Sequence, residues 1–401
     1  MNATPQTLTT NSRDANIKSM EKAQTLSQII YNQFKEHKAA VVGSYLILFF
    51  VIVALAAPLI ESMTGLDAES QNVFNRYKPP FSRVKAGTDV RENAVQKFIE
   101  QNPDEAVVIQ NQLINQKVVS PSKPEDGLYD WAALDKDKAL SALNLIETSK
   151  KSELKNIAAR FESYHVFGTD ELGRDVLMRL IYGARISMGV GILVALASSL
   201  IGIIIGALAG FYGGVLDTVL MRVTDALLSL PFLPVLIVIA AIDLQKVPFL
   251  KALISNGNES LMKLVFILCL FSWMTVARLV RGSILTLRER EFILASKTLG
   301  ASDLTIILRH MFPNVLSPIL VSVTLGVGDS ILFEAALSYL GLGIQPPTPS
   351  WGNMLFNAQE LIYQAPFLAV IPGILIFLVV VSFNFVGDGL QDAIDPKAIR
   401  R

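Results

Sequence analysis

Residues 288–313 read REREFILASKTLGASDLTIILRHMFP, a charged and amphipathic stretch set between two long apolar runs. Nothing so polar crosses a bilayer at low cost. If the flanking runs are membrane spans, this island is a folded loop on one side of the membrane. It presents a helix, a glycine turn at Gly300 and a second helix to something outside.

Composition supports the premise. The 401 residues are 51% hydrophobic and only 17% charged, with a positive mean hydropathy, the balance of an integral membrane protein. Lys plus Arg equals Asp plus Glu at 35 each, so no net charge favours nucleic acid as a partner, and what informs is where the charges fall. The single cysteine, Cys269, excludes an intrachain disulfide and a multi-thiolate metal site.

Taken in order, residues 1–22 are rich in Asn, Thr, Gln and Ser and read as a disordered tail. Leu26, Ile29, Ile30 and Phe34 then recur at helical spacing before Lys35 and Lys38. This is an amphipathic helix, either lying in the membrane interface or simply polar, so that 1–38 forms a cytoplasmic leader. Residues 39–60 carry no charge and are long enough for a first span, which needs ~20 residues. Residues 61–165 form a polar insert the size of a small domain. In it Asn102, Pro103, Asp104 and Glu105 make a helix start, with Asn102 as cap and Pro103 at the first helical position. A loop with Pro121, Pro124 and Gly127 follows, then an apolar stripe of Leu140, Leu143, Leu154, Ile157, Ala158 and Phe161, in one long or two short helices. The insert is expected to be mostly helical and extracytoplasmic, serving as a docking platform for a soluble partner or only packing on the spans. Five further apolar cores at 186–210, 218–241, 264–280, 315–336 and 367–385 complete six spans within a 166–386 core, followed by a tail at 387–401.

Orientation follows the short-loop cations. Arg281, Arg288, Arg290, Lys297 and Arg309 cluster around the island and Lys397, Arg400 and Arg401 in the tail, while 337–366 has none. Both termini and the 287–313 loop are therefore placed in the cytoplasm, against the opposing Lys246, Lys251 and Lys263, and Arg174, Arg179 and Arg185.

Inside the spans, Gly202, Gly206 and Gly210 fall at every fourth position, one small face for close helix packing. Pro231 and Pro234 predict a kink or irregular turn in the third span. Asp329 and Glu334 are costly acids in or near the fifth span, expected to face the protein interior or a wet pathway. Five residues apart, they lie on different helical faces and are not a paired acid site.

Enzyme chemistry has no foothold. There is no phosphate loop of the G-x-x-x-x-G-K-[ST] type, so the chain is not expected to hydrolyse nucleotide. His37, His165 and His310 are scattered without ligand spacing, so no metal site is expected. No serine sits in a recognisable nucleophile turn.

Three segments together resemble one family. Phe167-Gly168-Thr169-Asp170, Gly173-Arg174-Asp175, Arg179 and Gly183-Ala184-Arg185 are similar to the opening signature of permease subunits in peptide and nickel importers of the ATP-binding-cassette class. The island resembles the coupling loop of that class. Leu340-Gly341-Leu342-Gly343, Pro346-Pro347, Ser350-Trp351-Gly352 and Gly387-Asp388-Gly389-Leu390 to Asp395-Pro396 resemble its C-terminal third. The likeness runs from about Phe167 to the C-terminus plus the first span, and is to the second, C-type permease of a heterodimeric dipeptide or oligopeptide system.

The resemblance implies an all-α fold of six spans, the type I importer permease fold, in a bacterial inner membrane. It implies a paralogous B-type permease, two cytoplasmic ATPases that bind ATP and Mg, and an extracytoplasmic solute-binding protein as partners, with no cofactor on this chain. Glu291, Leu294, Ala295, Ser296, Gly300, Ala301, Asp303 and Pro313 would carry the ATPase contact. The family loop begins Glu-Ala-Ala where this chain has Leu294-Ala295-Ser296, so the acid is lost and Glu291 stands about one turn back. The signature's Gly and Arg residues would build the turn and anchor that start the second span. The function expected is a peptide importer permease. The alternatives are a nickel or nickel-chelate permease of the same class, an ion-coupled transporter using Asp329 and Glu334, and a non-transporting scaffold. The chain shows no repeated half of the kind common in secondary transporters.

Overall fold

A computed structural model describes residues 26–120, 123, 126–159, 161–242, 259–356 and 358–394. The 1–22 tail, Pro121, Pro124, Lys246, Lys251, Asp395, Pro396 and the cationic C-terminus lie outside the described residues.

Helix α1 (Leu26–Glu36) leads into α2 (Lys38–Leu55), the first apolar helix. The expected span to residue 60 is interrupted at Ala56, and α3 (Ala57–Thr64) starts afresh. Pro58 lacks the N–H that would have bonded back across this turn. Residues 65–175 form the insert and its seat. Strand β1 (Ser82–Lys85) pairs antiparallel with β2 (Glu162–His165), Ser82 opposite His165, and this ladder closes a helical unit of α4 (Thr88–Gln101), α5 (Pro103–Asn115), α6 (Gly127–Ala132), α7 (Lys136–Asn144) and α8 (Lys151–Ala159). The apolar stripe is thus two short helices, and its members share one core with Phe98, Ile109 and Trp131. Trp131 donates its indole N–H to Ala139 at 3.1 Å, so the largest side chain in that core is not left with an unmet donor. Asn102 stands at the start of α5 as expected but does not cap it: its amide donates back to the Phe98 carbonyl at 3.3 Å, because a helix the periodicity did not reveal, α4, ends there.

The membrane-type core follows. Helix α9 (Val176–Tyr212) starts ten residues before the expected span, because the polar first turns around Arg179 and Arg185 remain helical. The span expected at 218–241 is two helices, α10 (Gly214–Leu228) and α11 (Phe232–Ala241), bent by 86° across the break at 229–231. Then come α12 (Glu259–Arg288), α13 (Glu291–Thr298), α14 (Asp303–Tyr339), the short α15 (Trp351–Met354) and α16 (Ala358–Leu361), and α17 (Phe367–Ile394). Among the described residues five helices are long and apolar enough to cross a membrane, or six if the bent pair is one span.

Helix α9 is the axis of the bundle. Cβ atoms on Gly202, Gly206 and Gly210 would stand 2.6, 2.4 and 2.9 Å from the carbonyls of Trp273, Ala277 and Arg281, so this face lets α12 approach to backbone contact. The other side of α9 meets α14 and α2, and α17 packs on both α2 and α14. The antiparallel packing places α1, the start of α2, the end of α17 and residues 288–313 at one end of the bundle. The insert sits at the other.

Candidate functional site

At the island end, Arg290 starts α13 and Glu291 lies in its first turn, where an acid complements the helix dipole. The helix closes in a Schellman turn: Ala301 N–H donates to Ser296 at 3.2 Å and Gly300 N–H to Lys297 at 3.0 Å, with Gly300 at φ +80°. Ser302 then caps the next helix, its hydroxyl accepting from Thr305 N–H, with Asp303 in the first turn. The following turn, Ile306–Met311, is π-helical, and Pro313 sits just beyond it, in the first turn of the α-helical run from Phe312, where a missing N–H is tolerated.

The elbow so formed has two faces. Ile293, Ile306 and Met311 are buried against Val280, Ile284 and Val315, which seats it on the ends of α12 and α14. Phe292, Leu294, Leu299, Leu304 and Leu308 point outward, Leu299 being 87% exposed and Leu304 66%. Glu291, Ala295, Gly300, Asp303 and Pro313 are also exposed, and Ser296 and Ala301 half-buried. A Cβ on Gly300 would meet nothing within 4 Å. The pair protrudes, with leucines at its tip and open space around its turn, and leaves an apolar patch that this chain does not cover.

The opening signature is the reverse, polar and enclosed. Thr169, Asp170, Arg174, Asp175 and Arg179 are all buried. Asp170 accepts from the backbone N–H groups of Leu172 and Arg174 at 2.9 Å each and from Arg174 Nε at 2.7 Å, and pairs with Arg179 Nε at 3.3 Å. Asp175 caps α9, accepting from Met178 N–H at 2.7 Å, and bonds His165 Nδ1 at 2.6 Å. His165 Nε2 meets Ser163 Oγ at 2.7 Å, so β2 is strapped to the first turn of α9. Thr169 locks the loop before β1, its hydroxyl accepting from Lys78 N–H at 2.9 Å and donating to the Asn75 carbonyl. Gly168 and Gly173 hold positive φ and lie so close to Lys78 and Asn72 that Cβ atoms there would be 2.2 and 1.9 Å from those carbonyl oxygens. Gly183 makes room for Trp351, while Arg185 is exposed. The signature is the joint by which the insert is bolted to the bundle.

Asp329 and Glu334 are not brought together. Asp329 is exposed on the surface of the chain, whereas Glu334 is wholly enclosed, accepting from Ser187 Oγ at 3.0 Å and Ser338 Oγ at 2.8 Å. Those serines in turn accept from Trp351 N–H and Ile344 N–H, both at 3.1 Å, so Glu334 anchors the loop after α14. Trp351 completes it, donating to the Leu180 carbonyl at 2.9 Å and stacking edge-on against Phe50. Sequence reasoning did not single out Ser187, Ser338 or His165 as partners. Nor did it pair Asp217 with Arg281 or Asp225 with Arg278, although opposite charges in neighbouring apolar helices are themselves a signal.

Comparison with known proteins agrees with this architecture. Residues 202–400 match the family described as binding-protein-dependent transport system inner membrane component, and residues 25–80 match the N-terminal TM domain of oligopeptide transport permease C. The stretch between these two matches contains the helical unit of the insert, from Ser82 to His165. The chain is 39% identical over 258 residues to the dipeptide transport system permease protein DppC of Alkalihalophilus pseudofirmus, covering 64% of this chain and 79% of the relative. It is 42% identical over 233 residues to the glutathione transport system permease protein GsiD of Escherichia coli O157:H7, covering 58% of this chain and 72% of the relative. Among solved structures, the inward-facing MetNI methionine ABC transporter aligns with 53% of this chain and 96% of its own at 18% identity and a TM-score of 0.40. With an opening segment and a C-terminal core that match this family, and a relative at 39% identity aligned over most of its length, the chain belongs to the C-type permeases of binding-protein-dependent ATP-binding-cassette importers, membrane components rather than enzymes.

Proposed function

We propose that this permease imports peptides of the di- to oligopeptide class. It forms the pathway with a paralogous permease and is driven by two cytoplasmic ATPases that carry the ATP and Mg. The elbow at 291–313 is the coupling element. Glu291, Leu294, Ala295, Ser296, Gly300, Ala301 and Asp303 lie at or beside the ATPase contact, and Pro313 marks the return into α14. The observation that carries this reading is the pairing of an exposed leucine tip with a base buried on the ends of two long apolar helices. A push on the tip is delivered to α12 and α14 together, and closure of a nucleotide dimer becomes a shift of the helices lining the pathway.

Both termini and the elbow lie in the cytoplasm, and the insert faces the solute-binding protein across the membrane. Asp329, exposed on a span helix, lines the pathway or the seam with the second permease, since an acid facing lipid is costly. Dipeptide and glutathione relatives support a peptide cargo over a nickel chelate.

The test is made on the assembled transporter in proteoliposomes. Gly300→Pro and Ala295→Trp should abolish uptake and ATPase co-purification while the chain still inserts. Normal uptake with normal co-purification in both variants defeats the coupling role. Uptake that persists on a proton gradient without ATP defeats the ATP-driven reading.

A further inference from the structure

The bent pair α10 and α11 is tied to the bundle in two unlike ways. Helix α11 is held by apolar contact at the insert end: Leu236 and Ala240 are buried among Leu264, Leu268 and Leu337, and Phe232 lies 4.4 Å from Phe333. Helix α10 buries only Met221 and Thr224 and turns Val215, Val219 and Val223 outward. Leu227 packs on the cluster of Trp273 and Met274, and the remaining grip is charge. Asp217 accepts from Arg281 Nε and Nη2 at 2.5 and 2.6 Å, and Asp225 from Arg278 Nε and Nη2 at 3.1 and 2.5 Å. Arg288, farther along α12, donates to the Phe211 carbonyl at 3.4 Å, just before α10 begins. Arg278, Arg281 and Arg288 share one side of the α12 segment that runs directly into the elbow.

Between the two halves lies the break at Pro231, which has no N–H to extend a helix and holds an extended backbone, ψ 110°. Both halves therefore hold α12, α10 at its elbow-bearing end and α11, together with Leu337 and Phe333 of α14, at its insert end. The Arg281–Asp217 pair is forked, one nitrogen on each carboxylate oxygen, and fixes both distance and orientation, which an apolar contact of this size does not; both Arg278 nitrogens converge on one oxygen of Asp225.

We propose that Asp217 and Asp225 are positioning residues for transport: through Arg281 and Arg278 they make α10 follow the elbow, so that the stroke of the ATPases is spent as a change of angle at Pro231. This rests on the coupling role given above to the elbow. The half-buried pair, Asp217 with Arg281, carries more of the load than the more exposed pair, because Arg281 engages both Asp217 oxygens whereas Arg278 reaches only one of Asp225.

The experiment uses the complete transporter with Cys269→Ser, so that labels report only chosen sites. Spin labels at Val219→Cys and Thr286→Cys span α10 to α12, and labels at Val219→Cys and Val238→Cys span the bend. On trapping with ATP and vanadate, the first distance should hold while the second changes by about 5 Å, the size of a one-turn shift. Asp217→Asn with Asp225→Asn should release the first distance and lower uptake of a labelled dipeptide per ATP hydrolysed by about fivefold or more. Exchanging the charges, Asp217→Arg with Arg281→Asp, should restore at least half of that ratio, which a merely folded but misplaced helix would not do. If the first distance moves as much as the second in the parent, if the neutral variants keep the parent ratio, or if the exchange rescues nothing, the inference falls and the elbow's role stands. If neither distance responds to ATP in the parent, both fall.

Discussion

The two ends of this bundle handle polarity in opposite ways. At the insert end, carboxylates and guanidinium groups are buried and answered by one another, as in the Asp170, Arg174 and Arg179 cluster under the insert. At the island end, leucines that a solitary soluble loop would bury stand in the open. A buried, paired charge cluster fixes geometry, since removing one carboxylate leaves buried guanidinium charge under-compensated. An exposed apolar tip is unfinished surface, and its completion comes from another chain. The contrast teaches that the polar signature is architecture, as its turn-and-anchor reading expected, and that the leucine elbow is the end whose apolar surface this chain leaves uncovered.

Glycines at equal φ give the hardest test of that contrast. Gly173→Ala adds a Cβ at 1.9 Å from the Asn72 carbonyl, and the backbone cannot yield there. The expected loss exceeds about 3 kcal/mol, read as failure to recover monodisperse protein in detergent. Asp170→Asn comes next. It leaves the buried Arg179 without its carboxylate, while Arg174 keeps Glu171 at 3.0 Å, and should cost ~3 kcal/mol, measured as a lowered melting temperature of the detergent-solubilised chain. Gly300→Ala at the other end meets the same positive φ without a clash, so about 1–2 kcal/mol of local strain is expected, confined to the elbow and visible as faster amide exchange there. Leu299→Asp should leave the stability read from melting within about 0.5 kcal/mol of the parent, yet strip the ATPases on purification. A melting loss as large as that of Asp170→Asn would erase the distinction between the two ends.

The smallest effect lies in the insert. The hydroxyls of Ser149 and Thr148 donate to Glu105 and hold its carboxyl below the usual carboxylate range. A depressed pKa contributes stability that is present above the unfolded value and lost as pH falls through the folded one. Amide protection in α5 should therefore decline below pH ~4 in the parent, and Glu105→Gln should flatten that decline. Because the group is exposed, the difference is slight.

Much of the fold was legible because it is local. A charge-free run of twenty residues, glycines at every fourth position, a Gly–Ala–Ser turn before Asp303 and prolines at 231 and 234 each state their consequence without reference to distant parts of the chain. The 86° bend was foreseen in kind and not in size, since a proline removes a bond but its neighbours decide the angle. The β1 and β2 pairing went unseen because its partners are eighty residues apart and only four residues long. Asn102 was read as a cap from its residue type, and a preceding helix claimed its side chain instead.

By itself the sequence determined the membrane class, the polar island with its turn, the near absence of chemistry-bearing motifs and the register of the small-residue face, all of which follow from short-range pattern. Only the tertiary structure decided which charges are spent inside the fold and which surfaces are left unfinished. Asp329 and Glu334 are similar in sequence, five residues apart in one helix, yet one is exposed and the other enclosed by serines from α9 and α14. The reason is physical: the cost of a charge depends on the groups that surround it in space, and while Ser338 is one turn away, Ser187 arrives from a segment more than a hundred residues distant.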